Sequence, residues 1–425
     1  MHLTHLSLSN FRNYSRLELA LNPGPTLFYG ANAQGKTNLL EAVYYLATTR
    51  SPFADQEQQL LNWDALQPEE PLVVGKIMAQ LESGRDRQQV EMRLIKEQQG
   101  NRNGFRRQAL VNRRKVRLMD LLGNLRVVMF IPEDVQIVSG SPAIRRRYLD
   151  ITLCQTDKIY CRTLSAYNKV LEQRNALLRQ IAESGSGLDV LPVYTEKLVQ
   201  LGSQIFARRA DFIAALAREA RQIHYEQLTE GQETLRLQYL PRLQANDANR
   251  LDGTGLDEAI ETGEWLAGEA GIERDHRPVD EDRLKNIEQR FAASLEMLQP
   301  AEIASGTTRA GPHRDDWRFW VSGRSLGSFG SRGQQRTAIL ALKLAEIRWM
   351  TGQTGEAPIL LLDEVVAELD EQRRALLLET VKQAGQALLT ATDPTMFTTD
   401  FLDLATIIQV RAGQLQQEKR PANES

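Results

Sequence analysis

Near the N-terminus, apolar and polar positions alternate. Leu3, Leu6 and Leu8, then Leu17, Leu19 and Leu21, sit in short runs broken by Asn and by Pro23-Gly24, which predicts strands. Thr26–Tyr29 predicts a third strand that runs into a Gly-rich turn. Spacing then becomes helical over Lys36–Ala47, with Leu39, Leu40, Val43, Tyr44 and Leu46 apolar. Leu72–Gln80 and Val90–Ile95 predict further strands, and Leu125–Phe130 a buried one. From 143 to 226 the pattern is helical almost throughout, interrupted at 183–187 and at Pro192. This predicts an antiparallel helical hairpin. No heptad repeat is sustained, so the hairpin is a stub and not a long coiled coil. Residues 244–282 are polar, rich in Gly and acid, and without period, as expected of a surface insertion.

The strand–helix rhythm returns with a strand at Trp317–Val321, a helix at Ser331–Met350, an apolar strand at Pro358–Leu362 and a helix at Gln372–Lys382. Strands at Ala387–Leu389 and Thr406–Val410 follow, then a polar tail from Arg411. Short apolar strands alternating with helices predict an α/β fold with a mostly parallel sheet covered on both faces. The helical block lies between the two halves of that fold. The expected division is 1–140 plus 300–425 for the α/β domain and 141–299 for a helical arm lobe carrying the polar insertion.

Composition narrows the picture. The chain has 425 residues, 42% hydrophobic and 25% charged, enough for two or three domains of ordinary globular character. With a formal net charge of −3, nucleic-acid binding has to come from local basic patches. Cys154 and Cys161 match no zinc spacing and are expected as reduced core residues of a cytoplasmic protein. Residues 1–16 alternate and lack the apolar stretch expected of a signal peptide, and no apolar run reaches the ~18 residues of a membrane span.

Gly30-Ala31-Asn32-Ala33-Gln34-Gly35-Lys36-Thr37 is a complete P-loop lying between a strand and a helix. Its glycines let backbone N–H groups face one point, and the helix N-terminus adds positive character there. Lys36 suits the β- and γ-phosphates of ATP, and the Thr37 hydroxyl suits Mg²⁺. Ile359-Leu-Leu-Leu-Asp363-Glu364 reads as a buried strand delivering two carboxylates at its C-terminal end, the ligand-binding edge of a parallel sheet. Asp363 is expected in the Mg²⁺ shell, and Glu364 as the group that orients or deprotonates an attacking water.

Ser331-Arg332-Gly333-Gln334, ahead of a long helix, resembles the S-x-G-Q signature of ABC-type ATPases. A hydroxyl and amides at a helix N-terminus make a second phosphate cradle. Because the chain already has its P-loop, that cradle implies a second chain; the simpler alternative is a helix cap by Ser331. Glu368-Leu369-Asp370 resembles the D-loop of the same superfamily, although Ala367 stands where Ser is commoner.

A transporter ATPase would place the P-loop and signature much closer than the roughly 300 residues between Gly30 and Ser331. The large insertion resembles the SMC-like branch, and within it the chain resembles the RecF family. The stretches that carry this resemblance are Asn10-Phe-Arg12-Asn-Tyr14, Gly35-Lys-Thr-Asn-Leu-Leu-Glu-Ala42, Met129-Phe-Ile-Pro132-Glu-Asp134, Gly140-Ser-Pro142 with Arg145-Arg-Arg147-Tyr-Leu-Asp150, and Gly311-Pro-His313-Arg-Asp-Asp316. The resemblance as a whole runs from residue 3 to about residue 413.

The resemblance implies an ABC-type ATPase domain split by a helical lobe. It implies slow ATP hydrolysis, ATP-dependent homodimerisation and binding to DNA at gaps or single-strand/duplex junctions. It further implies partnership with RecR, functional links to RecO, RecA and single-strand-binding protein, and roles in recombinational repair, replication restart and SOS induction. By analogy with related ATPases Arg12 contacts nucleotide; a surface strand-end Arg is the alternative. The chain departs from the family at Ser51-Pro52-Phe53, in the length of 244–282, and at Leu389-Thr390-Ala391-Thr392-Asp393, where transporter-type enzymes carry a switch His. A Thr there can bond near the γ-phosphate but cannot act as a base. Arg102, Arg106, Arg107, Arg113, Arg114, Lys115 and Arg117 form an acid-free basic run, either a DNA-phosphate contact or a solvated hairpin. Arg145–Arg147 open a helix against its dipole, which favours a paired or functional role. Alternative functions are the ATPase of an ABC transporter and a small-molecule P-loop kinase.

Overall fold

The computed structural model describes residues 1–66, 71–84, 86–99, 102–243 and 281–419. Apart from its last two positions, the polar segment at 244–282 lies outside the described residues. The chain divides into two compact units, Met1–Asp134 with Glu346–Ser425, and Val135–Ala345.

The first unit holds two six-stranded sheets. One is antiparallel and made from β1 (His2–Phe11), β2 (Tyr14–Ala20), β4 (Leu72–Ser83), β5 (Asp86–Gln99), β6 (Arg102–Val111) and β7 (Arg114–Val116), in the order β2-β1-β4-β5-β6-β7. The other contains β3 (Gly24–Tyr29), β8 (Val127–Phe130), β12 (Ile359–Asp363), β13 (Gln386–Ala391), β14 (Thr406–Arg411) and β15 (Gln414–Lys419). Its order is β15-β14-β3-β13-β12-β8, parallel throughout except for β15. Helix α1 (Lys36–Thr48) joins the two sheets. Its Leu39, Val43 and Leu46 share one core with Leu6, Leu8, Ile77 and Met92 of the antiparallel sheet and Phe28, Leu361 and Leu388 of the parallel one. The Ile359–Asp363 strand is buried at every position, as its unbroken apolar run requires of a central parallel strand.

The second unit contains α2 (Pro142–Thr156), α3 (Lys158–Ser184), α4 (Leu191–Gln222) and α5 (Glu281–Ser305). It also holds a small sheet in which β10 (Asp316–Val321) lies between β9 (Leu235–Leu240) and β11 (Arg324–Ser325). Contacts at both ends, Arg174 Nε to Thr195 Oγ1 at 3.1 Å and Thr163 to Gln204 at 3.5 Å, show that α3 and α4 run antiparallel. Gly202 admits α5 closely: a Cβ there would lie 2.6 Å from the Phe291 ring.

Helix α6 (Arg332–Thr354) crosses the boundary between the units. Sequence spacing put the boundaries at 140 and 300, whereas contacts divide the chain at 134 and 345. The reason is a pairing partner that periodicity cannot reveal. Strand β10 bonds to β9, a strand the apolar pattern did not predict, and so joins the helical unit. The expected polar tail also starts as a strand: a turn with positive φ at Ala412 and Gly413 folds β15 back on β14.

Candidate nucleotide-binding site

Where β3 ends, the chain enters the P-loop. Gly30 has φ +151°, and a Cβ there would sit 2.4 Å from the Val410 carbonyl oxygen. Gly35 has φ +106°, and a Cβ there would meet the Asn13 amide at 2.3 Å. Any other side chain would push the loop off its supports. Gly35 is also the N-cap of α1 and offers no side-chain cap, so the positive helix end is kept for an anion.

Lys36 is 3% exposed; its Nζ donates to the carbonyls of Gly30 at 2.8 Å and Ala31 at 3.0 Å and pairs with Glu364 Oε1 at 3.1 Å. Thr37 Oγ1 donates to Asp363 Oδ1 at 2.9 Å. Burial pushes the Asp363 carboxyl up, against hydroxyl donors from Thr390 and Thr37. Glu364 occupies the left-handed region at φ 54°, and its amide donates to Thr390 Oγ1 at 3.0 Å.

The loop is braced from behind. Asn13 Nδ2 donates to the Gln34 carbonyl at 3.1 Å and Tyr14 Oη to the Gly35 carbonyl at 3.0 Å. Ala412 N donates to Gln34 Oε1 at 2.7 Å. Asn13 and Tyr14 lie in the stretch that carried the family resemblance, but nothing in the sequence gave them this task. Ala31, Asn32 and Ala33 at the crest are exposed. An uncapped helix N-terminus, two obligatory glycines, a buried ammonium and a hydroxyl–carboxylate pair together fit a nucleoside triphosphate, with Thr37 and Asp363 the residues that would hold Mg²⁺.

Arg12 is engaged elsewhere. Its guanidinium grips both oxygens of Glu41 on α1, at 2.6 and 2.7 Å, and donates to the Gln59 carbonyl at 3.0 Å. In this arrangement it anchors the P-loop helix. Asp370 caps the helix α7 (Glu371–Gln383) by accepting from Arg373 N at 3.0 Å, and also pairs with the Arg373 side chain.

In the second unit Ser331, Arg332 and Gly333 are exposed. Ser331 Oγ accepts from Gln334 N at 3.2 Å while Gln334 Oε1 accepts from Ser331 N at 3.0 Å, a reciprocal capping box. Gln334 Nε2 donates to Glu233 at 2.6 Å. The turn is thus a helix cap in its own unit.

The arginine-rich and Gly311–Asp316 stretches meet inside the second unit. Arg145 grips Asp316 at 2.6 and 3.0 Å, and Arg146 donates to the Asp315 carbonyl at 2.7 Å. Buried Arg209 bonds Asp150, Asp315, Tyr160 and the Pro312 carbonyl. Burial would lower its pKa, but Asp150 and Asp315 hold it well above its ordinary value. His313 Nε2 meets the Thr308 carbonyl at 3.1 Å, so it carries the proton, and Nδ1 accepts from Tyr167 Oη at 2.7 Å. Arg145 is therefore paired internally, and Arg146 is half-buried with a bond to a backbone carbonyl.

The basic run forms β6, a turn with positive φ at Asn112 and Arg113, and β7. Arg107 turns inward to the Thr49 carbonyl at 3.0 Å and to Glu57, and Arg106 pairs with Glu97 at 2.6 Å. Arg113, Arg114, Lys115 and Arg117 are exposed.

Comparison with known proteins identifies the family. Residues 2–416 match the RecF/RecN/SMC N terminal domain family. The DNA replication and repair protein RecF of Chloroflexus aurantiacus is 41% identical over 98% of this chain and 99% of its own length, and that of Halalkalibacterium halodurans is 34% identical over 98% and 100%. Among solved structures, the recombination mediator protein RecF with ATP is 28% identical with a TM-score of 0.78, covering 98% of both chains. An SMC head bound to the winged-helix domain of ScpA, 15% identical with a TM-score of 0.51 over 100% of this chain and 98% of its own, shares the fold alone. These relatives do not favour the transporter reading. The fold is that of an ABC-type ATPase, and the chain belongs to the RecF family of DNA replication and repair proteins.

Proposed function

We propose that this protein is an ATP-driven DNA clamp: a slow ATPase that dimerises on ATP and holds DNA at gaps or single-strand/duplex junctions. The observation that carries the reading is the assembled set of Lys36, Thr37, Asp363 and Glu364 at the C-terminal edge of the parallel sheet. ATP supplies the phosphoanhydride to be cleaved, and Mg²⁺ the charge that offsets its oxygens. Lys36 exchanges its carbonyl and carboxylate partners for phosphate oxygens, which frees Glu364 to take a proton from water. Ser331, Gly333 and Gln334 are exposed or half-buried and serve the site of a second copy, with Asp370 at the same interface. Arg12 acts on the nucleotide through its grip on Glu41 and α1.

DNA contact is assigned to the exposed cations at the β6–β7 turn, since a net charge of −3 leaves no global attraction. From the family come a cytoplasmic setting, RecR as direct partner, and links to RecO, RecA and single-strand-binding protein. The test is sizing the protein with and without ATP and Mg²⁺, then with gapped duplex added. A monomer under every condition would reject the clamp. Arg113→Glu with Arg114→Glu is expected to weaken DNA binding about tenfold or more and to flatten its salt dependence by roughly one unit of log–log slope per lost phosphate contact. An unchanged salt slope would move the DNA surface elsewhere.

A further inference from the structure

Strand β13 lies between β3, which delivers the P-loop, and β12, which delivers the two acids. On it, Thr390 stands in register with Asp363 on one side and with Phe28 on the other. Its side chain is 1% exposed, so its hydroxyl has to be paired within the protein. Two bonds do this. Thr390 Oγ1 donates to Asp363 Oδ1 at 2.7 Å and accepts from the Glu364 amide at 3.0 Å. The direction of each is fixed, because a carboxylate only accepts and an amide only donates.

We infer that Thr390 is a positioning residue for ATP hydrolysis: one hydroxyl fixes the carboxylate of Asp363 and tethers the backbone turn that aims Glu364. This rests on the ATPase reading above. Glu364 has φ 54°, a conformation that a residue with a long side chain keeps only when its surroundings hold it. The amide bond to Thr390 holds the backbone, and the ion pair to Lys36 holds the side chain. When Lys36 turns to phosphate the second tether is lost, and Thr390 remains to keep Glu364 aimed. Asp363 Oδ1 takes hydroxyl donors from both Thr37 and Thr390. Thr37 can therefore turn to a cation while Asp363 keeps its orientation. A β-branched residue suits both demands, because its χ1 is stiff and it sits well in a strand. Thr390 thus serves the acids, and Thr392, just beyond the strand, is exposed.

The test compares Thr390→Val, Thr390→Ala and Thr390→Ser in the full chain. Val keeps the shape and loses both bonds, Ala loses the bonds and the one methyl group, and Ser loses the methyl but keeps the hydroxyl. For Val and Ala, kcat for ATP is expected to fall about 10- to 100-fold. Their affinity for a non-hydrolysable ATP analogue without Mg²⁺, read by equilibrium binding, should stay within about threefold of wild type. Thr390→Ser should restore most of kcat. In a Glu364→Gln background Thr390→Val should cost little further rate, because residues that act as a unit are non-additive. Unchanged kcat in Val and Ala, equal loss in Ser, or full additivity with Glu364→Gln would each overturn the inference. If Val fails to fold, the Ala and Ser pair decides alone. A wild-type protein without ATPase activity would refute the underlying reading instead.

Discussion

At the edge of the parallel sheet, Lys36 and Glu364 form an ion pair whose acid is 38% exposed. In the second unit, Arg209 and Asp315 form another, with side chains 2% and 1% exposed. The residue types are alike and the consequences differ. Around Lys36 two of three partners are loop carbonyls and the third opens to solvent, so all three can be exchanged for an anion at little cost. Around Arg209 the partners come from three segments, and Asp315, Tyr160 and Pro312 are buried while Asp150 is 26% exposed, so most of the cluster is closed to exchange. Arginines and aspartates in a motif-like run thus signal chemistry only where their partners are replaceable.

The strongest way to break this comparison is Lys36→Met, which removes the ammonium and keeps the stem. ATP-dependent dimerisation is expected to be abolished, read by sizing with ATP and Mg²⁺. A wild-type dimer would mean that Lys36 is not the exchangeable cation. Next in size, Glu364→Gln keeps the shape without the proton acceptor. Turnover should drop by roughly two to four decades while the dimer persists longer. Unchanged turnover would remove Glu364 as the base.

Arg209→Met tests the other side. Deleting one partner of a buried pair leaves uncompensated charge and costs about 3–5 kcal/mol, measurable by urea unfolding. Nucleotide affinity of the folded protein should hardly move. A neutral substitution would show that the cluster is not a structural hub.

The smallest effect concerns pH. Burial pushes the His313 pKa down from 6.5 to about 4. The unfolded chain therefore takes up a proton near 6.5 that the folded protein refuses until about 4. This contribution to stability is whole above pH 6.5 and is lost as pH falls through that window, by at most ~3 kcal/mol. His313→Gln should lose less stability than wild type between pH 7 and 5. Asp315, which burial pushes up to about 6 against Arg209, contributes with the opposite sign. It is common to both proteins and cancels in the difference. Parallel pH profiles would show that His313 is not held neutral.

Sequence by itself determined what is local. The P-loop glycines, Lys36 and Thr37 fall within one turn and its helix, and the apolar run before Asp363 can only be a central strand. The strands and helices at Gly24–Tyr29, Lys36–Thr48, Ile359–Asp363, Glu371–Gln383, Gln386–Ala391 and Thr406–Arg411 follow from hydrophobic period and turn residues, since both act over a few neighbours; the short helix Thr399–Leu404 does not. The exposed signature turn was legible for the same reason, as a Ser followed three residues later by a Gln.

Tertiary structure decided what depends on distant partners. Thr37 and Asp363 meet across 326 positions of sequence, Arg145 and Asp316 across 171, and Arg209 and Asp315 across 106. Whether Arg145 faces DNA or an aspartate, whether Arg12 points to nucleotide or to Glu41, and whether Thr390 serves phosphate or the acids are questions of which groups the fold brings within about 3 Å. A hydroxyl or guanidinium reads the same in sequence wherever it points. Its role is set by the burial that forces it to find a partner and by the topology that supplies one.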